Sequence, residues 1–188
     1  MDKVVLGFSG GVDSSVAALL LKEKGYDVHG LYFDVLSNGN EEALSRASSC
    51  AKTLGIDFSA VNLSQRFDQT VIEPFCKTYC SGKTPNPCVL CNPTFKFRVL
   101  HEKAEELHAQ WIATGHYASV VKEGRWYYVA KSANKEKDQS YMLCRLEQDI
   151  LSHVLFPLSE FESKDEIRKI AAQSGLQTAA VKDSQDIC

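Results

Sequence analysis
The stretch Val4-Val5-Leu6-Gly7-Phe8-Ser9-Gly10-Gly11-Val12-Asp13-Ser14-Ser15-Val16-Ala17-Ala18-Leu19-Leu20-Leu21 decides the fold. A short apolar run, Val4 to Leu6, enters a pair of glycines, and a second apolar run leaves it. That order predicts strand, tight turn and helix. Backbone N–H groups at such a turn converge on an anion at the positive end of the helix. Gly10 and Gly11 permit close approach of the main chain and positive φ. Asp13 offers a hard oxygen suited to Mg2+, and the hydroxyls of Ser9 and Ser14 can donate to phosphate oxygens. No Gly-Lys-Ser/Thr follows, which excludes the kinase and GTPase phosphate loop. The plain alternative is a turn that merely joins a strand to a helix.

Working outward, strand and helix keep alternating. Gly25 ends the first helix, and residues 27–33 read as a second strand. Residues 41–54 carry Ala43, Leu44, Ala47, Ala51 and Leu54 at helical spacing, with Gly55 suited to the C-terminal cap. Residues 56–63 read as a third strand, and residues 67–79 as a helix interrupted or begun around Pro74. Asn92-Pro93 resembles an N-cap with proline in the first turn, leading a helix through His108. Residues 111–114 read as a fourth, short strand. The prediction is an α/β fold, a doubly wound and mostly parallel Rossmann-like sheet with a partial second element. Such sheets bind ligands at the carboxyl ends of their strands, where the glycine pair lies.

Beyond Gly115 the pattern changes. Residues 118–122 and 126–130 flank Glu123-Gly124 and read as a hairpin. Ser163-Lys164-Asp165-Glu166 is a capping box that starts a helix ending near Gly175. A division into residues 1–135 and 136–188 is expected, the second part carrying the last cysteine.

The whole chain has 188 residues and a formal net charge of -3, so a polyanion would need a local basic patch rather than global attraction. Lys77, Lys83, Lys96 and Arg98 supply such a bias, or an ordinary solvated face. No segment is apolar and long enough to span a membrane, and Asp2-Lys3 lead straight into a strand without a secretory pattern. Seven irregularly spaced cysteines then favour a reduced, cytoplasmic setting with metal-binding or catalytic thiols over a disulfide framework.

Gly82-Lys83-Thr84-Pro85-Asn86-Pro87-Cys88-Val89-Leu90-Cys91-Asn92 is the second informative stretch. Its prolines stiffen an extended loop that presents Cys88 and Cys91 just before a helix N-terminus, a location that favours thiolate. The C-x-x-C pair has three readings: redox couple, half a zinc site, or part of an iron–sulfur site. Zinc needs about four ligands, and no second C-x-x-C or H-x-x-x-H occurs. Two packed core cysteines are the plain alternative.

Ser9 to Ser14 resembles the signature of the PP-loop ATP pyrophosphatases, of the adenine nucleotide alpha hydrolase type. The resemblance implies cleavage of ATP between its α and β phosphates and adenylation of a substrate oxygen. Thr84 to Asn92, followed by Lys96-Phe97, narrows it to the tRNA-specific 2-thiouridylases. Three further stretches match that family in order: Ala113-Thr114-Gly115-His116-Tyr117-Ala118, Lys137-Asp138-Gln139-Ser140-Tyr141, and Lys182-Asp183-Ser184-Gln185-Asp186-Ile187-Cys188.

By that resemblance, the C2 oxygen of a tRNA uridine, at the wobble position, is adenylated and then displaced by sulfur, giving 2-thiouridine, AMP and pyrophosphate. Cys188 carries a persulfide and Cys91 is the second thiol, with a Cys91–Cys188 disulfide at the end. An alternative step releases hydrosulfide from Cys188. The resemblance places ATP against Gly7, Phe8, Ser9, Gly10, Gly11, Val12, Asp13, Ser14, Phe33 and Gly115, with Mg2+ and Asp13 at the reacting phosphates. It places the target base or tRNA against Asn86, Pro87, Cys88, His116, Lys137, Asp138 and Gln139. Many relatives carry aspartate where this chain has Cys88, and a [4Fe-4S] cluster held by Cys88, Cys91 and Cys188 is then an alternative to the persulfide. A sulfur donor, either a cysteine desulfurase, a relay protein or sulfide, is the further partner. The family continues into more of a central domain and a C-terminal β-barrel, so a chain of this length is expected to be its catalytic portion.

Plain readings stand beside these. His116 is a satisfied strand-end histidine, and Lys137 to Gln139 a solvated turn. Cys50 lies on a helical core face, Cys76 and Cys80 on or after a helix, and Cys144 in an apolar context. Two other function classes compete: a PP-loop synthetase or amidotransferase acting on a small molecule, and a non-catalytic metal or redox module.

Overall fold
The computed structural model describes residues 1–36, 40–176 and 178. Lys3–Gly7 (β1) has a fully buried centre, and Val12–Glu23 (α1) follows it across the glycine turn. Asp27–Asp34 (β2), Glu41–Leu54 (α2) and Asp57–Asn62 (β3) come next. Asn40 caps α2 by accepting from the Ala43 N–H, and Gly55 closes it at φ 60°, the left-handed cap expected of a glycine there.

Two long helical arms then cover the carboxyl end of the sheet. In the first, Ser64–Phe67 (α3) and Glu73–Cys80 (α4) are joined by a π-helical turn, Asp68–Ile72. In the second, Pro87–Cys91 (α5) and Phe97–Glu106 (α6) are joined by another, Asn92–Lys96. Each π turn adjoins a proline, Pro74 or Pro93. Proline has no N–H to give, and the wider register omits that bond without ending the helix.

This corrects two expectations. The second arm begins not at Asn92-Pro93 but at Asn86-Pro87, where the Asn86 side chain accepts from the Val89 N–H at 3.4 Å. The first begins at Ser64, and Pro74 lies inside it. Cys88 and Cys91 are therefore in the opening turns of a helix rather than ahead of one.

Trp111–Ala113 (β4) precedes the hairpin Ala118–Glu123 (β5) and Trp126–Lys131 (β6), which pair antiparallel. Gln148–Leu151 (α7), Val154–Leu155 (β7) and Lys164–Gln173 (α8) complete the described chain. The Ser163 hydroxyl accepts from the Glu166 N–H, as a capping box requires.

The main sheet has the order β3-β2-β1-β4-β7, all parallel. Four of these strands are legible in the sequence; β7, at two residues, is too short to show any period. Val4 and Leu6 point to one face, against α1, α2 and α8, through Val16, Ala17, Ala47, Ala51, Ile167 and Ala171. Val5 points to the other, against α6, the hairpin and α7, through Phe97, Leu100, Leu143 and Leu151. A third, small core of Phe67, Val71, Cys91 and Phe95 ties the two arms together. Strand order reverses between β1 and β4, which opens a crevice at their carboxyl ends.

Candidate functional site
The glycine turn is shaped by what lies behind it. Gly10 adopts φ 68°, and a Cβ there would lie 2.6 Å from the Ala47 Cα in α2. Gly11 is the N-cap of α1 in an extended conformation, and a Cβ there would meet only Ser9 Oγ, at 3.3 Å. Ser9 Oγ accepts from the Gly11 N–H at 3.3 Å and lies 3.2 Å from Ser14 Oγ. Ser14 and Ser15 donate to the Gly11 carbonyl at 3.1 and 2.8 Å. Gly115, beyond β4, abuts the same turn, since a Cβ would stand 3.2 Å from the backbone of Asp13 and Ser14. N–H groups at the start of a helix, flanked by two hydroxyls, are the donors that a phosphate cradle requires.

Asp13 is engaged from two sides. The Tyr117 hydroxyl donates to its Oδ1 at 2.8 Å, and Lys164 Nζ to its Oδ2 at 2.5 Å. Sequence reasoning missed both partners. Tyr117 sits within a longer motif, and Lys164, 151 positions away, reads only as part of a helix start. Nothing local signals either contact. Asp13 is a suitable hard ligand for Mg2+, which would take an oxygen now held by one of these donors.

A cavity of about 600 Å³ opens at the crevice. Of the expected ATP residues, Gly7, Phe8, Ser9, Asp13, Ser14, Phe33 and Gly115 line it. Gly10 and Val12 sit behind, packed toward the core, and Gly11 is also off the wall. Of the expected base or tRNA residues, Pro87, Cys88, His116, Lys137, Asp138 and Gln139 line it, together with Cys91. Asn86 does not; it lines a separate cavity of about 350 Å³ with Thr84, Pro85 and Leu90. Cys188 and the stretch from Lys182 lie outside the described residues.

His116 is buried, its Nδ1 2.7 Å from Thr114 Oγ1 and its ring stacked on Phe97. Burial, with Lys96 adding repulsion, pushes its pKa well below 6.5, so the imidazole is neutral. Lys137 is exposed in a turn, as the plain reading has it, whereas Asp138 and Gln139 are half-buried. Asp138 accepts from the Ser132 N–H and the Ser140 hydroxyl, and Gln139 exchanges hydrogen bonds with the Tyr117 backbone. Of the four basic residues proposed as a patch, Lys96 lines the cavity, whereas Lys77 pairs with Glu73 at 3.4 Å on the surface.

Cys91 is buried and Cys88 half-buried on the cavity wall. Between them and α6, Asn92 donates through Nδ2 to the carbonyls of Cys88 and Met142, at 3.0 and 3.2 Å. This residue, 2% exposed, locks the thiol helix to the segment after Gln139, a role its place in the sequence does not reveal. Among the described residues no third His, Cys, Asp or Glu joins Cys88 and Cys91 to complete a metal site. Cys188, the third thiol expected of an iron–sulfur cluster, lies outside the described residues. Cys50 is core, 3.2 Å from Ser15 Oγ, and burial pushes its thiol pKa up. Cys76 and Cys80 are exposed on α4, and Cys144 is also exposed, against the apolar setting expected for it.

Residues 2–188 match the family described as the tRNA methyl transferase HUP domain. The chain is 45% identical to the tRNA-specific 2-thiouridylase MnmA of Clostridium acetobutylicum, over 99% of this chain and 55% of that protein. It is 47% identical to the MnmA of Syntrophotalea carbinolica, over 98% and 54% respectively. The chain thus spans about half the length of these relatives. In structure it is similar to a 4-thiouridine synthetase solved in complex with RNA and bound ATP, at TM-score 0.63 and 22% identity, covering all of this chain and 44% of that one. That likeness bears on the fold alone, a Rossmann-like α/β sheet.

Proposed function
We propose that this chain, which belongs to the tRNA methyl transferase HUP domain family, is the catalytic part of a tRNA 2-thiouridylase. One observation carries the reading: Ser9, Asp13 and Ser14 of the glycine turn line the same cavity as two thiols, Cys88 and Cys91. An ATP pyrophosphatase acting on a small molecule would need the first and not the second.

The division of labour follows from the chemistry. A uridine C2 carbonyl resists substitution because oxide is a poor leaving group. ATP, bound at Ser9, Ser14 and the start of α1 with its adenine toward Phe33, adenylates that oxygen and releases pyrophosphate. A persulfide sulfur on Cys188 attacks C2 and AMP departs. Cys91 thiolate then attacks the Cys188 sulfur, forming the Cys91–Cys188 disulfide and leaving sulfur on C2. An external thiol must reduce that disulfide before the next turnover. Two thiols suffice for this route, and the described wall supplies one of them in Cys91. Mg2+, held by Asp13, would neutralise phosphate charge when bound.

The tRNA approaches, in this reading, over Asn86, Pro87, His116 and residues 137–139, and residues 136–188 begin the part that grips it. In the cytoplasm a cysteine desulfurase or a relay protein hands persulfide sulfur to the Cys188 thiol by thiol exchange; sulfide serves only the alternative cluster route. Among the described residues no helix is long and apolar enough to cross a membrane.

The test is an anaerobic incubation of the chain with ATP, Mg2+, unmodified tRNA and a persulfide donor. AMP and 2-thiouridine should form together, and Cys91→Ala should abolish thiolation while still releasing AMP. AMP formed only with a small-molecule substrate would sink the proposal. Stoichiometric iron and acid-labile sulfide, lost in Cys88→Ala, would replace the persulfide route by the cluster.

A further inference from the structure
We propose that the outer face of the β5–β6 hairpin is a docking surface for RNA, where Trp126 and Tyr128 stack an unpaired base a few nucleotides from the reacting uridine. The inference rests on the thiolation reading above and extends it beyond the cavity. One face of the hairpin, with Val120, Tyr127 and Val129, packs on the core beneath it. The other should then be polar, as the solvated face of an antiparallel pair is. Instead it sets Val121 opposite Tyr128, and Glu123 opposite Trp126. Val121, Tyr128 and Trp126 are 42%, 47% and 46% exposed. Large apolar side chains gathered on a solvated face mark a contact surface.

Charge chooses the partner. Residues 118–137 hold five cations, Lys122, Arg125, Lys131, Lys135 and Lys137, against two carboxylates, in a chain whose formal net charge is -3. Basic side chains are thus concentrated around this hairpin while the chain as a whole is acidic. Arg125 lies over the Trp126 ring at 4.6 Å, and Lys122 over Tyr127 at 5.2 Å. Bases stack on aromatic rings and on guanidinium planes, and cations beside them take the phosphates. A polyanion that carries flat bases matches both features at once.

Geometry joins this face to the cavity. Tyr117, directly ahead of β5, lines the cavity, and so does Lys137. Strand β5 advances about 3.3 Å per residue, which sets Trp126, opposite Glu123, about 17 Å beyond the cavity wall. The path back is basic, since Lys131 ends β6 and Lys135 and Lys137 stand in the turn that follows. That turn is fixed: Asn134 Oδ1 accepts from the N–H groups of Glu136 and Lys137, and Asp138 Oδ1 from that of Ser132. A strand of RNA whose uridine enters the cavity meets cations on its way to Trp126.

Titration of the 188-residue chain with unmodified tRNA tests this. The chain has two tryptophans, and Trp111 opens β4 at the amino end of the main sheet, so Trp111→Phe leaves Trp126 as the only indole reporter. Its emission should be quenched as tRNA binds. In the parent background Trp126→Ala should weaken tRNA at least about five-fold, and Trp126→Phe should recover most of the loss, because any aromatic ring stacks a base. ATP affinity should stay within about two-fold in both, and thermal melts establish that they fold. Lys131→Gln should lower the slope of log affinity against log salt by about one. Unchanged tRNA affinity in Trp126→Ala would overturn the proposal. So would Trp126 emission that shifts with protein concentration in the absence of RNA, which would give the face to a second copy of the chain. A parent chain that binds ATP but no tRNA would remove the thiolation reading itself, and this inference with it.

Discussion
The two walls of the cavity are built differently. The glycine turn hangs between a buried strand and a regular helix, and its shape comes from backbone geometry and from Ala47 pressing behind it. The thiol wall sits on a helix broken by a π turn, and its position depends on two hydrogen bonds from one buried asparagine. The first wall resists change because a close-packed sheet surrounds it. The second is held by few polar contacts over a small core of its own. The glycine turn and the two thiols thus line one cavity yet rest on separate supports.

Substitutions can break that separation or sharpen it. Gly10→Ala should do the most damage, costing about 3 kcal/mol or more, because it combines a left-handed φ with overlap on the α2 backbone. A urea midpoint should fall accordingly, and ATP binding should fail with the fold. Gly11→Ala is the control: its φ of -87° is unstrained and the new Cβ meets only the end of the Ser9 side chain, at 3.3 Å, so the midpoint should stay near that of the parent.

Asn92→Ala comes next, at about 2 kcal/mol, since it strips the Met142 carbonyl of its side-chain donor inside the protein. Sulfur transfer should drop while ATP affinity holds. Equal loss of both would show that the two walls are one unit, contrary to the comparison.

A smaller effect concerns pH. The folded-state pKa of His116 lies well below 6.5, so below that value the unfolded chain binds more protons than the folded one. The stability that neutral His116 contributes is complete above about pH 6.5 and is lost as pH falls toward its folded pKa. Melting temperatures from about pH 7.5 to about pH 5 should decline less steeply for His116→Gln than for the parent. Parallel declines would place the titrating group elsewhere.

The smallest effect is at the edge of both walls. Arg66 in α3 grips Glu102 in α6 through two bonds of 2.7 and 2.9 Å, but half of Glu102 is exposed. The guanidinium holds that carboxyl below its ordinary 4.5, so the pair stabilises above this value and fades as pH drops below it. Glu102→Gln should cost about 0.5 kcal/mol near neutral pH, and less in high salt.

Much of this architecture is legible in the residues themselves. The glycine pair, α2 with its Gly55 cap, the hairpin and the α8 capping box all declare themselves locally. The start of the thiol helix does not, because Asn-Pro occurs twice, six positions apart, and either pair satisfies the capping rule. Only packing of Phe95 against Phe67, rings 5.3 Å apart, fixes a register in which the second proline is interior. Of the candidate site, the cavity gathers both motif sets except Asn86, Gly10, Gly11 and Val12, with Cys188 outside the described residues.

The sequence by itself determined the alternating α/β order, the anion-seeking turn and the presence of paired thiols. Each depends on residues within a few positions of one another, where backbone sterics and spacing suffice. Tertiary structure alone decided that Tyr117 and Lys164 both reach Asp13, that Asn92 anchors the thiol helix, and that cradle and thiols open on one cavity. Those contacts join positions 50 to 151 residues apart, and no local preference encodes a distance that only the packed sheet creates.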